Sequence, residues 1–316
     1  MNIKNEDEII TTCKLIYNPV STGFKIKNVK LVQNEIEKLG IKTVSFESTY
    51  PGAVKDIIKN EDDSNTLLLT IGGDGTVSEA YESLARMRQK GVYSHIPTGT
   101  TNDMALNYNV TKKNPDEIII DILNGEIVKL DSYSVNDKIA AYSSVFGLMA
   151  HIPYVTDNKY KKVLGHGAYV TNGLKELFKK INKYDVTCTT DDGTFDTKCI
   201  IGAVSNSKGF AGVKLFPDAK LNDGKLEYFF LEKLNPKLVA TLLHDYLLNK
   251  VDLTKYSDII ITGKTSFMKI KFNGKIPKYP IDIDGENKNV NPTYIDNEYN
   301  IKLENKIKVL KSKKSS

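Results

Sequence analysis

Residues 66–80 read TLLLTIGGDGTVSEA and join an apolar run, a glycine-rich turn and an amphipathic segment. The apolar run at 66–71 is typical of a strand buried on both faces of a parallel sheet. Apolar residues at helical spacing continue from 77 to 90 and predict a helix after the turn. A strand, a glycine turn and a helix in this order indicate an α/β domain. Backbone amides in such a turn can bind an anion at the helix N-terminus.

Further predicted strands and helices alternate on both sides of this stretch. They are strands at 14–17, 43–46 and 92–94 and helices at 29–39, 53–58 and 104–106. A last short strand at 306–310 is expected to rejoin this part of the chain. We therefore expect a Rossmann-like α/β domain over residues 1–129, completed by residues 304–311.

Residues 130–303 have a different pattern, with short strands separated by polar turns such as DDG at 191–193. Closely spaced strands of this kind predict an antiparallel sandwich or barrel. Two helical stretches, at 160–183 and 236–248, interrupt the strands. We expect a C-terminal β-rich sandwich domain, with strands at 198–204, 224–231, 258–262 and 267–272.

Composition and charge exclude several classes of protein from the prediction. The chain has 316 residues and a formal net charge of +5, and only Arg86 and Arg88 of its 44 basic residues are arginine. Specific reading of DNA bases relies on arginine, so we expect no nucleic-acid partner. Three cysteines cannot form a disulfide framework, and no apolar run reaches the length of a membrane span. These features predict a cytoplasmic protein.

Two more loops follow predicted strands and carry hydroxyl, glycine and carboxylate groups. They are NPVSTG at 18–23 and PTGTTND at 97–103. Loops at the carboxyl ends of parallel strands share one crevice, so the three loops predict a nucleotide site. Asp74 in the glycine turn would repel a phosphate unless a magnesium ion lay between them. The alternatives are a tight turn with Asp74 as a cap, and a simple N-cap made by Asn102 and Asp103.

Taken in order, the motifs resemble the diacylglycerol kinase catalytic family, in particular the soluble bacterial lipid kinases, which are related to the sphingosine kinases. The matching segments are NPVSTG at 18–23, GGDGTVSEA at 72–80, PTGTTNDMA at 97–105, FPDAKLNDGKLE at 216–227 and IDIDGE at 281–286. NAD kinases share GGDGT, but the GTTND loop and the late DGE motif are not expected in them. The resemblance implies an NAD kinase/diacylglycerol kinase-like α/β domain followed by a β-rich lipid-substrate domain.

The resemblance also implies roles for individual residues. Glu286 of the DGE motif would be the general base that takes the proton from the lipid hydroxyl. Lys220, Asp223 and Lys225 would hold a structural magnesium ion, the lysines through their backbone carbonyls. Aspartates would form a network with water and magnesium, namely Asp74, Asp103, Asp131, Asp223 and Asp284. The residues in contact with ATP would be Asn18, Ser21, Thr22, Gly23, Thr49, Gly73, Asp74, Gly75, Thr76, Val77, Ser78, Glu79 and Thr100.

The activity that the resemblance implies is ATP- and Mg²⁺-dependent phosphorylation of a lipid hydroxyl, with diacylglycerol converted to phosphatidic acid. The alternatives are phosphatidylglycerol or a sphingoid base as acceptor, NAD kinase activity, and a nucleotide-binding module without catalysis. A lipid acceptor implies peripheral contact with a membrane surface, which the lysine excess favours, and the family suggests a homodimer. Without the other motifs, Glu286 would be read as a solvated turn carboxylate and Asp223 as a type I′ turn residue. The first loop carries Thr22 in addition to the family pattern, so either Ser21 or Thr22 could contact the nucleotide.

Overall fold

The computed structural model of the protein describes residues 9–59, 63–110, 114–151, 182–233, 241, 244, 245, 248, 250–293 and 295–313. The chain divides into two compact units. One unit comprises Met1–Ser132 with Asn305–Ser316, and the other comprises Tyr133–Glu304. The expected fold class, an α/β part followed by a β-rich part, is confirmed.

The first unit is built on one six-stranded sheet. Its described elements are β1 (Thr12–Tyr17), α1 (Ile26–Glu37), β2 (Lys42–Glu47), α2 (Ala53–Ile58), β3 (Thr66–Gly72), α3 (Asp74–Leu84), β4 (Val92–Pro97), α4 (Asp103–Asn107), α5 (Pro115–Leu123), β5 (Glu126–Leu130) and β20 (Ile307–Lys311). The strand order is β2-β1-β3-β4-β20-β5. Strands β1 to β4 pair in parallel, and β20 runs parallel to β4 and antiparallel to β5.

Strand β3 lies in the middle of this sheet and is buried at all seven of its residues. Helices α1 and α5 cover one face, where Val32 and Ile119 pack in a cluster with Leu15 and Leu69. A continuous apolar run is what a strand covered on both faces requires. The same strand delivers the glycine-rich turn to the edge of the sheet.

Helix α3 differs from its predicted range at both ends. It begins at Asp74 rather than 77, and it ends at Leu84 rather than 90. Gly73 has an extended backbone, with φ −96° and ψ −171°, so it is the last residue before the helix. The glycine-rich turn therefore contributes its second half to the first helical turn, which the apolar spacing from Val77 onward does not reveal.

In its described residues, the second unit contains two six-stranded antiparallel sheets and one two-stranded sheet. Its described elements are β6 (Tyr133–Val135), β7 (Lys138–Ala140), β8 (Ser143–Gly147), a 3₁₀ helix (Leu148–His151), β9 (Tyr184–Thr190), β10 (Gly193–Cys199), β11 (Ile201–Ser205), β12 (Gly209–Phe210), β13 (Val213–Lys214), β14 (Leu226–Leu231), a second 3₁₀ helix (Leu253–Tyr256), β15 (Ile260–Thr265), β16 (Phe267–Phe272), β17 (Ile281–Ile283), β18 (Glu286–Val290) and β19 (Glu298–Leu303). One sheet has the order β10-β9-β16-β19-β6-β7, and the other has the order β15-β14-β11-β8-β17-β18.

The two sheets of the second unit share one apolar core. Phe146 and Phe230 of one sheet pack in the same buried cluster as Met268 and Tyr299 of the other. Alternate residues of β14 point to opposite faces, and Phe229 belongs to a second cluster on the outer face of its sheet. This is the arrangement of a β-sandwich.

The strand predicted at 198–204 is two strands, which corrects that prediction. β10 ends at Cys199 and β11 starts at Ile201, and the two belong to different sheets. The chain crosses between the sheets at Ile200, whose carbonyl accepts a hydrogen bond from Leu148 N–H at 3.1 Å. An unbroken apolar run cannot show such a crossing.

Two predicted helices lie wholly or largely outside the described residues, namely 160–183 and 236–248. In the part of the chain that is described, no helix is long and apolar enough to cross a membrane.

Candidate active site

Three loops of the first unit lie side by side because they follow neighbouring parallel strands. Strands β1, β3 and β4 are adjacent in the sheet. The loops at their carboxyl ends are residues 18–23, 72–76 and 97–103. The structure thus brings together the three loops that the sequence analysis selected.

Hydrogen bonds through Thr98 join the three loops. The Thr98 N–H donates to the Gly72 carbonyl at 2.6 Å, and the Gly23 N–H donates to the Thr98 carbonyl at 2.8 Å. The hydroxyls of Ser21 and Thr98 lie 2.6 Å apart. The loop after β4 is therefore fixed to both of its neighbours.

Two glycines allow the second and third loops to touch through their backbones. A Cβ on Gly99 would lie 2.7 Å from the Cα of Gly73. The Asn102 side chain braces Gly99, since it accepts from the Gly99 N–H at 2.9 Å and donates to the Gly99 carbonyl at 2.7 Å. It makes no capping hydrogen bond to α4. The role of Asn102 is to shape the loop, so the simple N-cap alternative is wrong for this residue.

Asp74 and Thr76 are the polar side chains of the glycine-rich turn. The Asp74 carboxylate accepts a hydrogen bond from the Met104 N–H, at the start of α4, at 3.3 Å. Thr76 is 4% exposed, and its hydroxyl has no hydrogen-bond partner among the described residues. Buried polar groups are nearly always hydrogen-bonded. The Thr76 hydroxyl is therefore an exception among the buried polar groups of this turn.

Glu79, which was predicted to contact ATP, has a structural role in the same unit. Its carboxylate accepts from the Gly52 N–H at 2.9 Å and from the Val54 N–H at 3.3 Å. These N–H groups belong to the first turn of α2 and to the residue before it. Glu79 thus caps α2 and holds it against α3.

The other residues predicted to contact ATP differ in exposure. Thr49 follows β2 and is exposed, and the exposed Thr100 donates to the Thr22 hydroxyl at 3.3 Å. Val77 and Ser78 are buried within α3. Ser21 and Thr22 both lie at the carboxyl edge of the sheet, so the choice between them stays open.

Two further aspartates of the predicted network are buried in the first unit. Asp103 is 3% exposed and starts α4, next to the residue whose N–H binds Asp74. Asp131 is 2% exposed and forms an ion pair with Lys306 at 2.9 Å. Asp74 and Asp103 are therefore brought close, while Asp131 lies beside the junction of β5 and β20.

In the second unit, Glu286 follows a tight turn between β17 and β18. Ile283 pairs with Glu286, so Asp284 and Gly285 are the two turn residues. Their φ angles are +60° and +75°, which is the pattern of a type I′ turn. Glu286 is exposed at the end of this hairpin.

Buried groups hold the turn that carries Glu286. The Asp284 side chain is fully buried and accepts hydrogen bonds from the N–H groups of Ala141, Tyr142 and Ser143 at 2.9 to 3.2 Å. The ammonium of Lys288 lies 3.5 Å from the same carboxylate. These contacts explain why Asp284 is buried without reference to a metal.

The loop predicted to bind magnesium precedes β14. Asp223 accepts a hydrogen bond from the Lys225 N–H at 3.0 Å, and the Lys225 ammonium lies 2.5 Å from Asp191. The Lys225 ammonium and two groups of Ser266 donate to Asp191, and these hydrogen bonds lower the pKa of Asp191 to about 2. Asp191 therefore ties the loop to the β9–β10 turn.

Glu286 and this loop lie at the same end of one sheet. Ser205 of β11 pairs with both Ser143 and Glu227. Ser144 pairs with Ile283, the residue before the Glu286 turn. Along that edge, β17, β8 and β11 lie between Glu286 at the start of β18 and residues 220–225, which precede β14.

The residues of this edge carry carboxylate and carbonyl oxygens, which are groups that can bind Mg²⁺. Within the described ranges, no cluster of three or more metal-ligating side chains occurs. Glu227, however, is 4% exposed, and its Oε2 has no hydrogen-bond partner among those residues. Burial raises the pKa of Glu227, although Lys264 at 3.0 Å acts in the opposite direction. Carboxylate and carbonyl oxygens are the ligands that Mg²⁺ prefers.

Part of the chain is similar in sequence to a known protein domain. The sequence profile of the diacylglycerol kinase catalytic domain matches residues 12–135. The predicted resemblance to the diacylglycerol kinase catalytic-domain family is confirmed over these residues. The domain match and the diacylglycerol kinases among the relatives confirm the prediction of an enzyme, a lipid kinase.

Relatives of this kinase cover most of its length. A diacylglycerol kinase of Staphylococcus epidermidis is 28% identical over 282 residues, covering 86% of this chain and 85% of the relative. A diacylglycerol kinase of Bacillus subtilis is 29% identical over 229 residues, covering 70% and 74%. A crystal structure of a diacylglycerol kinase from Bacillus anthracis str. Sterne superposes with a TM-score of 0.73 at 17% identity, covering 98% and 99%. The last similarity concerns the fold.

Several groups at the site of this kinase were not selected from its sequence. Glu227 and Asp282 are buried acids in apolar strands, and that unusual position is a signal that could have found them. Tyr142 donates from its hydroxyl to the Asp284 carbonyl at 2.8 Å, across 142 residues of chain. Local sequence carries no signal for a contact of that separation.

Proposed function

We propose that this kinase transfers the γ-phosphoryl group of ATP to the primary hydroxyl of diacylglycerol, giving phosphatidic acid. The observation that carries the proposal is an exposed carboxylate, Glu286, on a turn held by buried hydrogen bonds. A primary hydroxyl is a poor nucleophile at neutral pH and needs a positioned base. The relatives from S. epidermidis and B. subtilis are diacylglycerol kinases, which supports this acceptor.

ATP is proposed to bind at the three joined loops of the first unit. The close approach of Gly73 and Gly99 leaves backbone rather than side chains at the edge of the sheet. Backbone amides at the start of α3 favour an anion. The orphaned Thr76 hydroxyl is a group that a bound nucleotide would satisfy.

Magnesium is proposed to accompany the nucleotide and to occupy the 220–225 loop. It would neutralise phosphate charge, which is what phosphoryl transfer chiefly requires. Asp74 would lie at the nucleotide, and the carbonyls of Lys220 and Lys225 with the Asp223 carboxylate would hold the structural ion. Lys225 replaces an apolar or aromatic residue that the family often has at this position, which a backbone carbonyl ligand tolerates.

Glu286 is proposed to take the proton of the acceptor hydroxyl. As that oxygen forms its bond to the γ-phosphorus, the bond from phosphorus to the oxygen of ADP breaks, and ADP leaves with that electron pair. The proton resides on Glu286 until solvent removes it. Removal of a general base typically lowers turnover by ~10²–10⁴-fold.

The acceptor is dissolved in a bilayer, so the kinase is proposed to act as a cytoplasmic protein that contacts membranes reversibly. The net charge is +5, and lysines near an anionic surface contribute about 1 kcal/mol each and are screened by salt. Vesicle sedimentation should show binding that rises with anionic lipid and falls with salt. Equal binding to neutral vesicles would contradict the electrostatic part. A homodimer is proposed on family grounds, and light scattering of the purified kinase tests it.

The acceptor is tested with radiolabelled ATP and a panel of micelles. The panel contains diacylglycerol, phosphatidylglycerol and a sphingoid base, with soluble NAD as a further acceptor. We expect label in phosphatidic acid. The matched variants are Glu286→Gln and Glu298→Gln, because each glutamate is the first residue of its strand. Glu286→Gln should lose turnover, and Glu298→Gln should keep it.

Two results would contradict the proposal separately. Label transferred to another lipid or to NAD would overturn diacylglycerol as acceptor. A Glu286→Gln kinase that keeps more than about half of the wild-type rate would overturn the base, since base removal costs far more.

A further inference from the structure

We propose that Tyr142 is a positioning residue for Glu286, and that its hydroxyl acts by fixing the central peptide of the Asp284–Gly285 turn. The inference rests on the proposed function, in which Glu286 is the base. Tyr142 lies outside every motif that identified the site in the sequence.

The two turn residues share one peptide group, and that group is held at both ends. Its carbonyl, on Asp284, accepts from the Tyr142 hydroxyl at 2.8 Å. Its N–H, on Gly285, donates to the buried Asp282 carboxylate at 2.9 Å. The oxygen and the hydrogen of a peptide point in opposite directions. The two side chains therefore grip the peptide from opposite sides.

Rotation of this peptide is the motion that such a grip prevents. Type I′ and type II′ turns differ in the orientation of their central peptide, and both join hairpins. Type II′ needs glycine at the first turn position, which Asp284 occupies, so the peptide is confined to rotations about the type I′ geometry. Glu286 follows directly, so its direction from the turn depends on how this peptide is oriented.

Tyr142 is itself buried and held in place by hydrogen bonds of its backbone. It is 5% exposed, and its N–H donates to the Asp284 carboxylate at 2.9 Å. Its carbonyl accepts from the Ser205 hydroxyl at 2.8 Å and from the Asn206 N–H at 2.9 Å. The backbone of Tyr142 is thus fixed to the end of β11 as well as to the hairpin.

Tyr142→Phe removes the hydroxyl and keeps the ring. The loss of one hydrogen bond should lower kcat by about 2- to 10-fold. The KM for ATP and for the lipid should remain as in wild type, because the hydroxyl contacts neither in this proposal. Tyr256→Phe is the matched control, since the Tyr256 hydroxyl donates to Asp245 at 2.9 Å and Tyr256 is 6% exposed. It should leave kcat unchanged.

A double-mutant cycle separates positioning from a general structural effect. Rates are measured for wild type, Tyr142→Phe, Glu286→Gln and the double variant, and thermal midpoints are recorded for all four. If Tyr142 acts through Glu286, the double variant should have the residual rate of Glu286→Gln, because the two effects are not additive.

Three results would overturn the inference. The first is a kcat for Tyr142→Phe equal to that of wild type. The second is a double variant whose rate falls below that of Glu286→Gln by the same factor that Tyr142→Phe loses alone. The third is a thermal midpoint of Tyr142→Phe that falls far more than that of Tyr256→Phe. A fully active Glu286→Gln kinase would instead show that the proposed base is wrong, and the inference would fail with it.

Discussion

The Asp74 carboxylate accepts a hydrogen bond from the Met104 N–H at 3.3 Å, so the glycine turn before α3 is tied to the first turn of α4. This bond requires an acceptor oxygen but no negative charge. A cation beside a phosphate requires the charge as well. The observed hydrogen bond of Asp74 and its proposed role beside magnesium can therefore be separated by one substitution.

Asp74→Asn keeps an oxygen for Met104 and removes the charge. We expect an unchanged thermal midpoint and a roughly tenfold or greater loss of Mg-ATP affinity in calorimetric titration, as for a charge-assisted contact. Asp116→Asn is the matched control, because Asp116 is also an acidic residue in a first helical turn. Unchanged affinity and turnover in Asp74→Asn would leave Asp74 as a turn residue.

Gly99→Ala tests the backbone contact between the two loops. Its Cβ would lie 2.7 Å from the Cα of Gly73, and backbone cannot yield as a flexible side chain does. We expect a loss of about 1–3 kcal/mol in the free energy of unfolding, with weaker ATP binding. Gly274→Ala is the control, since no atom lies within 4 Å of its added Cβ. Equal behaviour of the two variants in urea titration would refute the contact.

Glu79→Ala distinguishes a capping role from a nucleotide contact. The carboxylate accepts from the N–H groups of Gly52 and Val54. Loss of a helix cap costs about 1 kcal/mol. We expect a lower free energy of unfolding. The ATP affinity should stay within about threefold of wild type, which is a change of about 0.6 kcal/mol in the binding free energy. A large loss of affinity with full stability would show that Glu79 contacts ATP.

His95 makes the stability of the first unit depend on pH. Its ring is 1% exposed and lies 2.8 Å from the Thr70 hydroxyl, and burial lowers the pKa of His95 to about 3. An unfolded histidine has a pKa of about 6.5, so between these values the unfolded chain binds a proton that the folded chain does not. Stability should therefore fall as the pH drops below about 6.5, by up to about 1.4 kcal/mol per pH unit.

Urea unfolding between pH 7 and pH 5 measures this effect. His95→Gln should show a shallower loss, while His244→Gln, at a side chain that is 70% exposed, should match wild type. Identical slopes in wild type and His95→Gln would show that His95 is not the source.

The sequence predicted the elements whose apolar pattern is local. Helix α2 has its predicted bounds, and the buried strand β3 follows from an uninterrupted apolar run. The break at Ile200 was missed, because a change of sheet is a tertiary event. The three loops proposed to bind the nucleotide could be chosen from glycine and hydroxyl content, since parallel strands bring their carboxyl ends together.

The contacts that hold the site residues in place could not be predicted from the sequence. Asp284 was assigned to a metal network, yet it binds the N–H groups of residues 141–143, more than 140 positions away. Asp191 and Lys225 are 34 positions apart and meet across a turn. Such pairings depend on how the strands are ordered in the sheets, and no local spacing encodes that order.

Strand β20 has a consequence for how the protein is made. It lies between β4 and β5, and the Ser94 hydroxyl of β4 donates to its Leu310 carbonyl at 2.7 Å. While the ribosome translates the whole second unit, β20 is absent, so β4 and β5 each have an unpaired edge. At 5–20 residues per second this interval lasts roughly 10–35 s. An unpaired strand edge is a site of misassembly, so the nascent chain carries that risk at β4 and β5 until Lys311 has emerged.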